Sequence, residues 1–181
     1  GELARGKSKH RPRNDPKLLG GHYPLIQTGE VSQTHNYIRE YTQTYSEMGL
    51  KQSKMWQAGT LCITIAANIA KTSILDIDAC FPDSIVGFRP TESKTTVEFM
   101  HTWFSLFQEI LEKNAPESAQ KNINLKILND LDVIVPPIEL QQEFSEKFRR
   151  VDELTSKVIN SKDKINELKE SYMSEFFGKQ L

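Results

Sequence analysis

The sequence predicts an α+β protein, in which a domain with a mixed or antiparallel sheet and packed helices is followed by a long C-terminal coiled-coil helix. Two observations lead to this class. Short apolar and β-branched runs separated by turn residues are typical of strands. The last quarter of the chain instead repeats apolar residues every seven positions, which is typical of a helix that pairs with another helix. We therefore divide the chain into a domain at residues 1–134 and a proline joint with a spacer or dimerisation helix at residues 135–181.

Several stretches of the domain predict strands. The clearest are three short runs at residues 61–66, 72–77 and 84–88. A further strand is expected over residues 22–31, where it runs into a loop that contains Gly29, and a last strand over residues 132–135. Residues 32–57 are polar and aromatic with weak periodicity, so they predict irregular structure with one helix at most.

One amphipathic helix is expected after the third strand. The residues Thr95 to Glu98 have the form of a capping box, in which each of these two side chains bonds the other residue's backbone amide. The apolar residues that follow share one helical face until Asn114-Ala115-Pro116 ends the helix. Residues 125–131 predict a second, short helix or turn.

A narrow apolar seam runs along the predicted C-terminal helix. Its members are the predicted helix-pairing residues Phe144, Val151, Leu154, Val158, Ile165, Leu168 and Tyr172. The seam needs a partner helix, because its side chains are otherwise left in water. At about 1.5 Å per residue the helix reaches roughly 58 Å, the scale of a spacer. Pro136-Pro137 precedes it and predicts a stiff joint, since two prolines cannot continue a hydrogen-bonded ladder.

Composition indicates a folded protein. The chain has 181 residues, a formal net charge of −1 and 38% hydrophobic residues, which favours neither disorder nor a membrane protein. No apolar run approaches the ~20 residues that cross a bilayer. Cys62 and Cys80 are isolated, and no Cys/His spacing suggests zinc, so we expect a cytoplasmic protein with reduced thiols and no metal site.

Basic residues cluster near the start of the chain although the total charge nearly cancels. The predicted phosphate-binding members of this basic arm are Arg5, Lys7, Lys9, His10, Arg11 and Arg13. Between Arg5 and Lys17 only Asp15 opposes them. A flexible arm of this kind attracts nucleic acid by releasing counterions from the phosphates. Solvated surface cations are the alternative interpretation.

Candidates for base contacts lie in loops, where a scaffold can hold donor and acceptor side chains in place. These candidates are Gln27, Thr28, Lys51, Lys54, Asn68 and Lys71, and Lys121 is a further candidate for phosphate contact. With the arm, they complete the predicted DNA-binding set. Each has a structural alternative. Gln27 and Thr28 can satisfy turn amides, and Asn68 can occupy a left-handed turn. The aromatic residues can stack on bases, but core packing is favoured for Tyr37, Tyr41, Tyr45 and Trp56.

One short motif resembles a nuclease. Pro82-Asp83 followed by Glu92-Ser93-Lys94 has the residue types of a site in which two carboxylates hold a divalent metal and a lysine assists the attacking water. That chemistry needs Asp83 and Glu92 to converge on one ion. Because Pro90-Thr91 and the start of the next helix intervene, we expect Lys94 to face solvent and the motif to be non-catalytic.

Six pieces of the chain, taken in order, resemble the DNA specificity (S) subunit of type I restriction-modification systems. They are Gly6-Lys7-Ser8, residues 23–31 (YPLIQTGEV), residues 58–63 (AGTLCI), residues 81–88 (FPDSIVGF), residues 120–124 (QKNIN), and residues 134–137 (IVPP) before residues 139–142 (ELQQ). The family's repeating unit is a target-recognition domain followed by a conserved long helix. This chain is similar to one such unit, which implies either a half-subunit that dimerises or a piece of a longer subunit.

The resemblance implies a non-catalytic, sequence-specific DNA-binding subunit that reads one half of a bipartite target. Its implied partners are double-stranded DNA, the methyltransferase (M) and restriction (R) subunits, and a second specificity unit or second copy that pairs through the helix. S-adenosylmethionine, ATP and magnesium are then expected on the partner subunits and no cofactor in this chain. The alternatives are a coiled-coil assembly protein that reads no DNA and a divalent-metal nuclease that uses Asp83, Glu92 and Lys94.

Overall fold

The structure is a computed structural model that describes residues 1–66, 70–114 and 123–178. The chain divides into two compact units, Gly1–Gln142 and Glu143–Leu181. The described part of the first unit contains two sheets and several helices. The described part of the second unit is helical and continues the last of those helices.

The first sheet has five strands in the order β1-β9-β6-β7-β3. These strands are β1 (Glu2–Arg5), β3 (Tyr37–Ile38), β6 (Leu61–Thr64), β7 (Thr72–Leu75) and β9 (Ile85–Arg89). Neighbours are antiparallel, except that β3 pairs in parallel with β7. The three central strands, β9, β6 and β7, are those that the sequence predicts at residues 84–88, 61–66 and 72–77, and these predictions are confirmed.

The second sheet has four short strands in the order β4-β2-β8-β5. These strands are β2 (Leu19–Leu25), β4 (Gln43–Tyr45), β5 (Met55–Trp56) and β8 (Ala79–Cys80). The strand β2 is antiparallel to β4 and parallel to β8, and β5 is antiparallel to β8. The chain is therefore α+β with mixed sheets, as its sequence predicts.

Helices connect and cover the sheets. After a 3-10 turn at Pro16–Leu18 come α1 (Thr28–Gln33), α2 (Glu47–Lys51), α3 (Val97–Asn114), α4 (Leu125–Asn129) and α5 (Ile138–Phe177). The backbone amides of Leu140 and Gln141 donate to the carbonyl of Pro137, which therefore caps α5. Within the described ranges, no helix has both the length and the apolar character needed to cross a bilayer.

Both faces of the five-stranded sheet are buried. Leu61 and Ile63 of β6 belong to a core that includes Phe104 of α3. Cys62, between them, belongs to a second core with Phe81 and residues of the four-stranded sheet. This alternation follows from the two-residue period of a strand. As a result, α3 covers one face of the sheet, and the loops and short strands that carry the candidate site cover the other.

The predicted capping box of α3 was wrong. The Oγ1 atom of Thr96 accepts a hydrogen bond from the Phe99 amide at 3.3 Å, so Thr96 is the capping residue. The hydroxyl of Thr95 is buried and donates to Oε1 of Gln141 at 2.9 Å. The Glu98 carboxylate accepts from the Tyr37 hydroxyl at 3.0 Å. Tertiary partners therefore use both side chains that the local motif assigned to the helix end.

Three other local predictions were also wrong. Residues 22–31 do not form one strand, because β2 ends at Leu25 and Gly29 lies in α1. Residues 32–57 contain one complete helix, α2, as expected, but also three short strands that were not predicted, β3, β4 and β5. Residues 132–135 form no strand. Elements of two to five residues depend on pairing with distant segments, so they leave little periodicity in the sequence.

Candidate nucleic-acid interface

The basic arm is anchored to the domain from its first residue. The Gly6 amide donates to the carbonyl of Ile85 at 2.9 Å. A Cβ atom at Gly6 would lie 2.2 Å from the carbonyl oxygen of Pro82 and 2.4 Å from that of Phe81. No side chain fits there unless the backbone moves, so the arm leaves β1 in close contact with the loop that follows β8.

Asp83, in that loop, holds the arginine side chains of the arm. Arg13 donates to its Oδ1 atom, and Nη2 of Arg11 lies 3.5 Å from its Oδ2 atom. The Nε atom of Arg5 donates to the backbone carbonyl of Asp83 at 2.9 Å. The arm is thus held in place and is not freely flexible, which corrects the expectation from sequence.

The segment after α2 holds the middle of the arm by its backbone. The Gln52 Oε1 atom accepts from the amides of Lys9 at 2.7 Å and His10 at 3.1 Å, and the Ser53 hydroxyl donates to the carbonyl of Lys7 at 3.0 Å. The side chains of Lys7 and Lys9 point to solvent, and neither ammonium has a partner among the described residues. Two cations are therefore presented from a fixed backbone, which lowers the entropy lost when they bind an anion.

The end of the arm is closed by a histidine–carboxylate contact. The Nε2 atom of His10 lies 3.0 Å from Oδ2 of Asp15. The Lys17 amide donates to Oδ1 of the same carboxylate at 3.0 Å. This backbone hydrogen bond, followed by the contact with His10, lowers the pKa of Asp15 and keeps it ionised at neutral pH. His10 is thus engaged within the arm.

A polar groove of about 300 Å³ opens beside the arm. The residues that line it are Arg13, Asn14, Leu25, Gln27, Thr28, Gln43, Tyr45, Ala66, Pro82 and Ser84. The groove brings together three residues predicted from sequence, Arg13, Gln27 and Thr28. It adds three polar residues that the sequence reasoning missed, Asn14, Gln43 and Ser84. No local motif marks Gln43, because it joins the groove only through the pairing of β4 with β2, where it lies opposite Leu25.

A hydrogen-bond network fixes two of the groove's side chains. The Nε2 atom of Gln27 donates to Oε1 of Gln43 at 2.7 Å. Glu30 holds both segments, because its Oε2 atom accepts from the Gln27 amide at 3.1 Å and its Oε1 atom accepts from the Thr42 hydroxyl at 2.5 Å. Burial alone would raise the pKa of Glu30, but the hydrogen bonds from Thr42 and the nearby amides lower it on balance. The carboxylate is therefore ionised at neutral pH.

The remaining predicted DNA-binding residues are spread over nearby loops. Lys51 is exposed at the end of α2, and the ammonium of Lys54 lies 3.9 Å from the centre of the Trp56 ring, in a cation–π contact. The side chain of Lys71 is exposed, while its amide donates to Oγ1 of Thr64 at 3.1 Å. Asn68 and Lys121 lie outside the described residues.

The central aromatic residues mostly belong to the cores, as the sequence interpretation favours. Tyr45 and Trp56 are buried, and Trp56 stacks on Phe81 with ring centres 4.7 Å apart. Tyr37 is partly buried beside Glu98. Tyr41 is exposed. Base stacking is therefore open to Tyr41 alone among these four residues.

The nuclease-like motif does not form a metal site. Asp83 precedes β9 and Glu92 follows it, so a five-residue strand separates the two carboxylates. At about 3.3 Å per residue such a strand alone spans roughly 16 Å, which exceeds the reach of two ligands of one ion. Asp83 is also engaged by two guanidinium groups. The described ranges contain no cluster of three or more potential metal ligands.

In the second unit, α5 presents the predicted seam to solvent. Val151, Val158 and Ile165 are 61%, 68% and 67% exposed. Phe144, Leu154, Leu168 and Tyr172 are also exposed. An apolar strip of this length on one helix is typical of a surface that pairs with another helix.

A fixed array of cations beside a groove of donor and acceptor side chains is typical of protein modules that bind nucleic-acid phosphates and read base edges from loops. Residues 1–170 match the family model for the type I restriction modification DNA specificity domain. The chain therefore belongs to this family. It is a DNA specificity domain of this type.

Individual relatives agree with this assignment. The EcoBI specificity subunit of a type I restriction enzyme from Escherichia coli is 27% identical over 164 residues, which cover 86% of this chain and 34% of that protein. This chain thus spans about a third of the length of that subunit.

Two solved structures share the fold. The HsdS subunit from Thermoanaerobacter tengcongensis has a TM-score of 0.57 at 15% identity, over 88% of this chain and 37% of that one. A chain from a structure that addresses complex assembly and conformational transition of the type I R-M system has a TM-score of 0.59 at 17% identity, over 93% of this chain and 40% of that one.

Proposed function

We propose that this chain is a sequence-specific DNA-binding specificity subunit, or one unit of such a subunit, that reads one half of a bipartite target. The observation that carries the proposal is the anchored arm, which fixes Lys7 and Lys9 by their backbone and brings Arg13 into the lining of the polar groove. Cations placed in this way bind phosphates and set the register of the duplex, while the groove reads base edges. Lys51, Lys54, Lys71, Asn68 and Lys121 are proposed to extend the contact from neighbouring loops.

The helix α5 is proposed to set the distance between two reading domains. Its 40 residues correspond to about 60 Å, or about 18 base pairs of B-form DNA. The exposed seam supports pairing with a second specificity unit or with a second copy of this chain. Residues 1–134 would then act as the reading domain, and residues 135–181 as the joint and spacer.

Membership of the family supports a role in recruiting partner subunits. We infer that the chain directs methyltransferase and restriction subunits to the target, and that S-adenosylmethionine, ATP and magnesium bind to those partners. The cytoplasm is the proposed location, because the DNA target is there and because two buried cysteines without a disulfide suit a reducing compartment. The exposed seam also favours a second candidate, an assembly protein that reads no DNA.

A gel shift distinguishes these candidates. The chain, alone and mixed with the methyltransferase subunit, is titrated onto duplex DNA across a salt series. A DNA reader is expected to lose binding steeply as salt rises, because phosphate contacts release counterions. Absence of binding in both preparations, at every salt concentration, contradicts DNA reading and favours the assembly protein.

Mapping methylated sites tests the bipartite target. Genomic DNA from cells that carry the intact operon is expected to show methylation within two short sequences separated by a spacer of constant length. Two identical reading domains predict a palindromic pair, and two different domains predict unrelated halves. Methylation at a single continuous site contradicts the proposed spacing role of α5.

A further inference from the structure

We propose that Gln27 reads an adenine in the major groove and that Gln43 and Glu30 are positioning residues for its amide. The inference rests on the proposed DNA-reading function and names the base that the groove selects. Gln27 is exposed at the N-terminal end of α1 and lines the groove.

The amide of Gln27 keeps the groups that adenine requires. A primary amide has two N–H donors and one carbonyl acceptor. Gln27 uses one N–H on Gln43 at 2.7 Å, and its side chain also accepts from the Glu30 backbone amide in the capping box of α1. One N–H and the second lone pair of the carbonyl oxygen therefore remain. An acceptor and a donor on one amide match N6–H and N7 of adenine, whereas guanine presents two acceptors at this edge.

The network determines where the amide points. Gln43 accepts from the Gln27 side chain, and Glu30 accepts from the Gln27 backbone and from Thr42, the residue before Gln43. One carboxylate thus ties together the two segments that carry the glutamines. Preorganisation of this kind favours a single base, because a freely rotating amide can adapt its donor and acceptor to other bases.

Arg13 is placed to bind a phosphate next to the Gln27 amide. Arg13 lines the groove and is held by Asp83, and it retains further N–H donors for a phosphate. A phosphate contact beside the amide would fix the position of the duplex relative to Gln27. The arm therefore sets the position of the duplex on the protein, and the Gln27 amide selects the base.

The test is selection from a library of duplexes with a randomised internal segment, using the full chain together with the methyltransferase subunit. We expect the wild-type complex to select sequences with adenine at one position that Gln27→Ala makes degenerate. The preference for adenine there should fall by about 5- to 150-fold, the range for loss of one bidentate base contact. Gln43→Ala and Glu30→Gln should weaken the preference at that position only, without changing the salt dependence of binding.

Gln33→Ala is the matched control, because Gln33 is exposed in the same helix and does not line the groove. It should leave the selected sequence unchanged. A wild-type complex that selects no sequence overturns the proposed function and this inference with it. A clear wild-type consensus that Gln27→Ala leaves intact, or that changes at a position other than adenine, overturns this inference alone. Changes at several unrelated positions in Gln43→Ala would show a general structural role and overturn its positioning role.

Discussion

Neutralising two lysines of the arm gives a quantitative test of phosphate binding. Lys7→Gln and Lys9→Gln remove two positive charges whose side chains are exposed and have no partner among the described residues. The backbone at both positions is held by Ser53 and Gln52 through main-chain atoms, which the substitutions retain. The double variant should therefore fold normally and keep the path of the arm.

The size of the effect follows from counterion release. Each phosphate contact contributes about 0.9 to the slope of log K against log salt, so loss of two contacts should lower the slope by about 1.8. If charge contacts contribute nothing near about 1 M salt, the variant binds DNA about 220-fold more weakly at about 50 mM salt and about 18-fold more weakly at about 200 mM.

Fluorescence anisotropy with a labelled duplex measures this slope. The matched control is Lys94→Gln with Lys126→Gln, which makes the same change in net charge at two exposed lysines. Lys94 precedes α3 and Lys126 lies in α4, and these two helices pack on the face of the five-stranded sheet opposite the arm. The control should keep the wild-type slope. Equal slopes for the arm variant and the wild type, or equal losses in both double variants, would refute the reasoning.

Three further predictions concern the helix, the thiols and the arm. Ile165→Asp places a charge in the exposed seam and should weaken association by at least about tenfold in analytical ultracentrifugation. The control Asn166→Asp adds the same charge outside the seam and should leave association unchanged. Equal effects of the two substitutions would contradict pairing through the seam. Burial raises the pKa of Cys62 and Cys80, so both thiols should resist iodoacetamide at about pH 8 until the chain unfolds; mass spectrometry of labelled native protein checks this, and rapid labelling would contradict it. Asp83→Asn removes the negative charge that two arginines share and leaves only one acceptor oxygen. It should speed tryptic cleavage within the arm several-fold, whereas an unchanged rate would show that the backbone contacts suffice.

Strong local patterns predicted the parts of the fold that depend on local structure. The central strands β6, β7 and β9 are short runs in which every residue except Arg89 is buried, and α3 has a continuous apolar face. Predictions failed where an element is short or where a side chain has a distant partner. Thr95 illustrates the second case, because its hydroxyl bonds Gln141, 46 residues away.

The candidate site likewise has features that the sequence predicts and features that only the structure shows. The cations of the arm are visible in the sequence as a cluster, because charge density along a segment needs no tertiary information. Their attachment to Asp83 is not visible, since Arg13 and Asp83 are 70 residues apart. The residue types of the nuclease-like motif were equally visible, but only the length of β9 shows that Asp83 and Glu92 lie at its two ends.

The sequence by itself determined the class of the protein, its basic arm, its central strands and the seam of its last helix. Each of these features depends only on neighbouring residues or on a regular repeat. Only the tertiary structure decided which polar side chains share a groove. Gln27 and Gln43 meet because β4 pairs with β2, and Glu30 holds both because a helical turn follows β2. Strand register between separate segments depends on the packing of the whole domain, so the reading residues emerge only when the chain is folded.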